Sequence, residues 1–256
     1  MPRQNPAPGA VLAGVLALTL SCAANDKLTP KDELKQWLDR GQNAYDKLKD
    51  YTCIFVQREQ VNDELLPEEH VQMKFKKPFM VYMKWVGKVR EGQECLYGKD
   101  LYDNKLIAHG TGVLGLVTVK LDPAGKVAMD KRRHPITEAG IGHLLELLRK
   151  DQKLAAEHNE GLVIDKGTAT DANEVKDKLQ ARELRLFECI LPRDKRPEYY
   201  CHRAVVGFDT KLMLPVSISI YDAKDRLLEQ YRYQELKLDV GLTARDFDKD
   251  NPKYGF

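Results

Sequence analysis

The clearest structural signal in this chain is the run Val71-Gln-Met-Lys-Phe-Lys-Lys-Pro-Phe-Met-Val-Tyr-Met-Lys-Trp85. Apolar side chains alternate with more polar ones on both sides of the Lys77-Pro78 pair. A period of two is typical of β-strands, whose side chains point alternately to two faces. The run therefore predicts an antiparallel hairpin with Tyr82 and the lysines on its polar face. The apolar face is expected to present a candidate binding surface formed by Phe75, Phe79, Val81, Met83 and Trp85.

Further strand-like segments follow on both sides of this hairpin. They lie at 52–60, 94–97, 101–108, 114–121, 126–129, 162–169, 181–191, 199–208, 215–221 and 228–236. Turn residues separate them at a spacing of about ten residues, which is typical of an all-antiparallel barrel or sandwich and not of alternating βαβ units. The polar segment 171–179 is expected to form a short helix or a loop.

Two amphipathic helices are expected to pack against this sheet. The first has Thr29 as its N-cap and Pro30 at its first helical position, and its apolar stripe runs to about Asp50. The second has Thr137 as its N-cap, and its stripe includes Ile141 and the leucines that follow. The sequence thus predicts a single, mainly β (α+β) domain of about ten or eleven strands with two helices.

The first 24 residues have the features of a secretory signal peptide. Arg3 supplies a weakly positive start, residues 10–20 are apolar, and residues 21–24 are small. We therefore expect an exported, periplasmic protein whose domain spans residues 25–256. The apolar run is shorter than the roughly 20 residues that cross a bilayer, and no second such run follows, so no transmembrane span is expected in the mature chain.

Cys22 leaves the cleavage position open. Bacterial lipoproteins are cut immediately before a cysteine that becomes lipidated, normally with a large apolar residue three positions upstream, where this chain has Thr19. Cleavage before Cys22 would give a membrane-anchored protein. Cleavage after Ala23 or Ala24 would give a protein without this anchor.

Composition excludes several functional classes. The 256 residues are 43% apolar and 31% charged, with a net charge of +2. A disordered protein has a lower apolar fraction and a higher net charge than this chain. A nucleic-acid-binding protein normally carries a basic excess, so no nucleic-acid partner is expected.

Four of the five cysteines lie in the expected mature chain, which allows disulfides in an oxidising compartment. Cys189 and Cys201 lie on successive strand-like runs, so one bridge is expected between them. Cys53 and Cys95 would then form the second bridge. The alternative is that all four are small, buried apolar residues.

We find no recognisable catalytic or metal-binding motif in the sequence. No HExxH spacing, CxxC pair, GxSxG elbow or phosphate-binding loop is present. The acidic run at Asp246, Asp248 and Asp250 lacks the EF-hand spacing and is expected to be solvated surface. No catalytic residue, metal or cofactor is therefore predicted.

Five motifs in order along the chain carry a family resemblance. They are Tyr51-x-Cys53-x-Phe55-x-x-Arg58-Glu59, Lys74-Phe75-x-x-Pro78-Phe79-x-Val81-Tyr82-Met83-Lys84-Trp85, Leu121-Asp122-Pro123-x-Gly125-x-x-Ala128-Met129, Arg133-His134-Pro135-Ile136-Thr137-x-x-Gly140-Ile141 and Asp246-Phe247-x-x-x-Asn251-Pro252-x-Tyr254-x-Phe256. Together they resemble a bacterial family known as domain of unknown function 1571, through nearly the whole expected mature chain.

The resemblance implies kinship with the lipoprotein-carrier fold of the LolA, LolB and RseB type. That fold is a strongly curved, unclosed antiparallel half-barrel whose apolar concave face is covered by helices. The resemblance transfers no catalytic positions. We expect Arg58-Glu59 and Arg133-His134 to serve as structural anchors at strand ends or turns.

These features favour an exported, non-enzymatic protein that binds lipid or lipoprotein acyl chains in its apolar concave face. Methionine and aromatic side chains suit this task because they adapt to varied apolar ligands. The expected partners are lipids or acylated proteins. The alternative is an envelope interaction or stress-sensor protein, in which the same face is a filled core and the partner is another envelope protein.

Overall fold

The computed structural model describes residue 1 and residues 28–110, 117–175 and 178–256. The signal peptide predicted for residues 1–24, including Cys22, lies outside the described residues except for Met1. The helices are α1 (Pro30–Lys47) and α2 (Ile141–Glu157). The strands are β1 (Asp50–Val61), β2 (Glu64–Leu65), β3 (Glu69–Lys76), β4 (Met80–Trp85), β5 (Glu94–Gly98), β6 (Leu106–His109), β7 (Thr118–Leu121), β8 (Leu162–Val175), β9 (Lys178–Ile190), β10 (Arg203–Asp209), β11 (Pro215–Tyr221) and β12 (Leu227–Leu238).

Eleven of these strands form one antiparallel sheet in the order β7-β6-β5-β4-β3-β1-β12-β11-β10-β9-β8, and the short β2 pairs with the end of β1. In the described part of the chain the edge strands β7 and β8 do not pair with each other, so the sheet is unclosed. The predicted mainly β architecture, a curved half-barrel with two helices, is confirmed.

The sheet consists of two meanders joined at one seam. Strands β3 to β7 and strands β8 to β12 each follow one another in chain order. The two halves meet where β1 pairs with β12, from Tyr51 opposite Leu238 to Glu59 opposite Glu229. Because β7 and β8 lie at opposite edges of the sheet, the chain between them crosses from one half to the other, and α2 lies on this connection.

The hairpin predicted from residues 71–85 is present as β3 and β4. Val71 lies opposite Trp85 and Phe75 lies opposite Val81, and these four side chains are buried. Tyr82, which the alternation places on the polar face, is also buried. The reason is that the C-terminal residues cover this face, where Tyr82, Leu96, Ile107, Leu242 and Phe247 form a second core cluster.

Helix α1 begins where its capping residues predict. The Thr29 hydroxyl accepts a hydrogen bond from the Asp32 N–H at 3.2 Å, and Pro30 occupies the first turn. Leu34, Leu38 and their neighbours on the same stripe are buried. Among the described residues, neither helix is both long and apolar enough to cross a membrane.

Helix α2 begins later than its predicted cap at Thr137. Residues Ile136–Glu138 form a single 3-10 turn, and Gly140 is the N-cap with φ +105°. A Cβ at Gly140 would lie only 2.9 Å from the Phe75 ring and from the Tyr51 hydroxyl. The helix start is therefore set by close packing on β1 and β3, which the local sequence does not reveal.

Several other segments differ from expectation. The predicted strand 101–108 begins only at Leu106, after a 3-10 turn at Tyr102–Asn104, and the predicted strand 199–208 begins only at Arg203. Residues 126–129 form turns instead of a strand, with the Met129 N–H bonded to the Gly125 carbonyl at 2.9 Å. Of the segment 171–179, residues 171–175 end β8 and residues 178–179 begin β9, where a helix or loop was expected, because these residues pair across the two strands and satisfy each other's backbone groups. Of the predicted strand 114–121, the part before residue 117 lies outside the described residues.

The connection from β7 to α2, residues 122–140, runs over the concave face and is called the crossing loop below. It contacts β3 through Arg132 and Glu69, and it contacts β12 through Arg133 and Glu229. At its end the Ile141 N–H donates to the Tyr51 hydroxyl at 3.2 Å. The crossing loop, α1 and α2 together cover the concave face.

Candidate ligand cavity

A cavity of about 1180 Å³ lies between the concave face of the sheet and the elements that cover it. Phe55, Met83 and Trp85 line it from the sheet, and Leu34, Leu144 and Leu148 line it from the two helices. Typical small-molecule pockets measure about 300–1,000 Å³. This cavity is therefore large enough for an extended apolar ligand.

The five predicted binding residues divide between this cavity and the packed core. Met83 and Trp85 line the cavity. Phe75 instead stacks on Tyr51, with ring centroids 5.1 Å apart, and Val81 is fully buried. Phe79 lies in the turn after β3 with its ring edge against Phe75. The hairpin end of the concave face is thus filled, and the cavity lies further along the strands.

The cavity lining reaches the protein surface at both edges of the sheet. Val117, Val119 and Val127 line the cavity near β7, and their exposed fractions are 58%, 40% and 71%. Leu162, at the start of β8, also lines it and is 53% exposed. An apolar path therefore connects solvent with the cavity. The sequence offered no signal for it because isolated exposed valines are common on protein surfaces.

A buried carboxylate, Glu229 of β12, anchors the crossing loop. Its Oε1 accepts from Arg133 Nε at 2.7 Å, and its Oε2 accepts from Tyr200 Oη at 2.6 Å and lies 3.3 Å from His134 Nε2. Burial opposes its charge, but His134, Tyr200 and Arg133 together lower the pKa of Glu229. Arg133 and His134 thus serve as the turn anchors that the sequence motif implied.

His134 carries a positive charge in this arrangement. Its Nδ1 lies 2.8 Å from Glu138 Oε2, so carboxylates flank both ring nitrogens. Burial works to lower the pKa of His134, but Glu229 and Glu138 outweigh it and raise that pKa to about 9. Glu59 completes the anchor, since it accepts from the Arg133 N–H at 3.1 Å and from the Tyr231 hydroxyl.

A second polar group lies in the cavity wall around Glu69 and is called the Glu69 cluster. Glu69 accepts hydrogen bonds at 2.7 Å from Trp85 Nε1, from Arg132 Nη1 and from Gln57 Nε2. Its other oxygen lies 3.2 Å from Arg90 Nε. Burial opposes the charge of Glu69, yet Arg132 and the hydrogen bonds lower the pKa of this carboxyl. Every member except Glu69 itself lines the cavity.

The two expected disulfides are not formed, and all four described cysteines are free and buried. Cys53 and Cys95 occupy one row of the sheet, through Met73 and Met83, and are three strand spacings apart. Three strand spacings place the two Cα atoms about 14 Å apart along the sheet. The Cα atoms of bridged cysteines are roughly 4.4–6.8 Å apart.

Cys189 and Cys201 are not aligned with each other, since Cys189 lies on β9 and Cys201 precedes β10. Cys189 lies opposite Ala204, three residues beyond Cys201, so the two cysteines are not cross-strand partners. Burial raises the pKa of the Cys95 and Cys189 thiols to about 12. Such thiols behave as small apolar core residues, the alternative that the sequence left open.

The acidic C-terminal run is not simply solvated surface. Asp246 Oδ1 accepts from Lys74 Nζ at 2.8 Å, and Asp246 forms a capping box with Thr243. Burial raises the pKa of the Asp246 carboxyl, but Lys74 and the Thr243 N–H outweigh it and lower that pKa. Asp246 thus fastens the C-terminal residues to β3.

The family model described as Protein of unknown function (DUF1571) matches residues 48–256. No curated protein matches the sequence. Among solved structures, the lipoprotein LppX of Mycobacterium tuberculosis aligns with a TM-score of 0.47 and 12% identity, over 84% of this chain and 98% of LppX.

Two further solved structures align over the same share of this chain. MucB, in the Pseudomonas aeruginosa MucA/MucB complex, aligns with a TM-score of 0.46 and 12% identity, over 84% of this chain and 60% of that chain. A LolA superfamily protein of Nitrosomonas europaea aligns with a TM-score of 0.35 and 11% identity, over 84% and 97%.

Proposed function

The chain belongs to the family of proteins of unknown function DUF1571, and we propose that it is an exported, non-enzymatic protein that binds acyl chains of lipids or lipoproteins. The observation that supports this proposal is the cavity of about 1180 Å³ between the concave face and its covering elements. A protein whose concave face served only as core would be packed there to the density of an organic crystal, with few voids larger than a water molecule.

The size of the cavity suits acyl chains. A methylene group occupies a volume close to that of a liquid water molecule, so a sixteen-carbon chain takes up roughly 500 Å³. One or two such chains therefore fit into about 1180 Å³.

The chemistry of the walls also suits acyl chains. Phe55, Met83, Leu144 and Leu148 present aromatic, thioether and aliphatic surface to the cavity. Each methylene group moved from water to such surroundings contributes about 0.8 kcal/mol. A long chain can therefore bind without any specific polar contact along its length, and the exposed apolar residues at the sheet edges offer it a way in.

Binding is tested first with an uncharged fluorescent probe, N-phenyl-1-naphthylamine, which becomes bright in apolar surroundings. The mature chain should take up the probe saturably, and hexadecanol should displace it. Ala108 and Ala155 line the cavity, so Ala108→Trp and Ala155→Trp should each weaken uptake at least tenfold.

A matched control uses the same substitution elsewhere. Ala181 is exposed on β9 and does not line the cavity, so Ala181→Trp should leave probe uptake unchanged. Circular dichroism and thermal unfolding would verify that all three variants are folded. A chain that takes up no probe, or folded cavity variants that bind as the original chain does, would contradict the proposal.

A further inference from the structure

The Glu69 cluster contains a guanidinium, that of Arg90, whose terminal nitrogens make no hydrogen bond within the described residues. We propose that Arg90 binds the anionic head group, a carboxylate or a phosphate, of the acyl ligand. This inference rests on the proposed function, because it assigns the polar end of the same ligand.

The fold holds Arg90 in a fixed position at the cavity wall. It lies in the turn between β4 and β5, in the left-handed region with φ +56°. Its Nε lies 3.2 Å from Glu69 Oε1, and its side chain is 24% exposed. Glu69 in turn is held by three further hydrogen bonds, so the carboxylate that positions Arg90 is itself rigidly placed.

The terminal nitrogens of Arg90 are the free donors. Its single ion pair uses Nε, and within the described ranges Nη1 and Nη2 have no acceptor. A guanidinium carries five N–H donors, and its planar fork matches the oxygens of a carboxylate or a phosphate. Arg132 is more constrained, because its Nη1 binds Glu69 and its guanidinium lies 4.9 Å from the Trp85 ring centroid. Its buried Nη2 also lacks a hydrogen-bond partner among the described residues, so it adds a donor to the same wall of the cavity.

The local charges favour an anion at this place. Two arginines share the single carboxylate of Glu69, so the Glu69 cluster carries one excess positive charge. Burial and the nearby Arg132 charge lower the pKa of Arg90. The carboxylates of Asp130 and Glu59 act in the opposite direction on that pKa. Glu59 already accepts hydrogen bonds from the Arg133 N–H and the Tyr231 hydroxyl. An anionic head group would neutralise the excess charge of the Glu69 cluster.

The experiment compares ligands that share a sixteen-carbon chain and differ only in the head group. Palmitate, hexadecyl phosphate and hexadecanol compete for the neutral probe at pH 8, each below its aggregation concentration. We expect at least one anion to bind tenfold or more tightly than hexadecanol. A preference for palmitate alone identifies a carboxylate as the head group, and a preference for hexadecyl phosphate alone identifies a phosphate.

The variants separate this inference from the proposed function. Arg90→Gln should abolish the preference for the anions while hexadecanol binds as before. Lys126→Gln removes an exposed cation of the crossing loop that does not line the cavity, and it should retain the preference. If the three ligands compete equally in the original chain, or if folded Arg90→Gln keeps the preference, the head-group inference is wrong although acyl binding stands. If no ligand displaces the probe, the proposed function and this inference fail together.

Discussion

The rings of Tyr82 and Tyr254 stack nearly parallel, with centroids 3.9 Å apart, on the face of the sheet opposite the cavity. Tyr82 belongs to β4, and Tyr254 lies at the C-terminal end of the described chain. The Lys74 ammonium lies 5.3 Å from the Tyr254 ring centroid and pairs with Asp246. The C-terminal residues are therefore bound to the sheet by both aromatic stacking and charge.

Replacing Tyr254 with alanine should lower the free energy of unfolding by about 2–3 kcal/mol, because it removes the stacked ring and exposes Tyr82. Tyr254→Phe is the matched control. It retains the stack and loses the hydrogen bond from the hydroxyl to the Asp246 carbonyl at 2.7 Å, worth about 1 kcal/mol, and the contact of the hydroxyl with Lys74. Urea unfolding measures both variants. Equal losses for the two would show that the stack does not stabilise the fold.

Removing the charge of Arg133 should destabilise the crossing loop. Arg133→Gln leaves Glu229, whose side chain is 1% exposed, with only Tyr200 and His134 as partners. We expect a loss of about 2–3 kcal/mol in the free energy of unfolding, since the buried Glu229 loses one of its two cationic partners and the hydrogen bond from Arg133. Arg226→Gln breaks the exposed pair with Asp222 and should cost under about 1 kcal/mol. Similar losses at the two sites, again by urea unfolding, would argue against Glu229 as an anchor.

Stability should decrease between about pH 6.5 and pH 9. His134 has a pKa of about 9 in the folded protein against an ordinary 6.5, so the folded state binds this proton more tightly. The contribution of His134 is complete below pH 6.5 and is lost as the pH rises towards 9. We expect the free energy of unfolding to fall by about 2–3 kcal/mol across this window.

Urea unfolding at pH 6, 7.5 and 9 measures this decrease. His134→Gln removes the titrating group, so the decrease over the same range should largely disappear. An NMR titration that placed the pKa of the His134 imidazole near 6.5 would show that the flanking carboxylates do not hold the charge.

The start of α2 should not tolerate a side chain at Gly140. An added methyl group there combines positive φ with contacts of 2.9 Å to Phe75 and Tyr51. Gly241 also has positive φ, but nothing lies within 4 Å of its position, so Gly241→Ala reports the backbone strain alone. Thermal unfolding should show that Gly140→Ala costs about 1–3 kcal/mol more than this control. Equal effects would mean that packing against β1 and β3 does not set the helix start.

Local patterns predicted the elements that local physics determines. The period of two between Val71 and Trp85 predicted the β3–β4 hairpin, and Thr29 predicted the start of α1. The burial of Tyr82 could not be predicted in this way, because it depends on Tyr254, more than 170 positions along the chain.

The candidate site was only partly predictable for the same reason. An apolar strand position has the same pattern whether a covering element fills the space above it or leaves it empty. Phe75 is covered because Gly140 approaches it closely, whereas Met83 faces the cavity. Likewise, the separation of Cys53 from Cys95 follows from the strand order, which places β3 and β4 between them.

The seam between β1 and β12 has a consequence for biosynthesis. The first long strand to leave the ribosome finds one of its two neighbours only when the last strand has been made, since β1 pairs with both β3 and β12. The early meander can form before β12 is available, but until β12 arrives it ends in an unpaired edge at β1. The incomplete chain is therefore open to pairing along this edge, and the half-barrel is completed only when its final strand has been added.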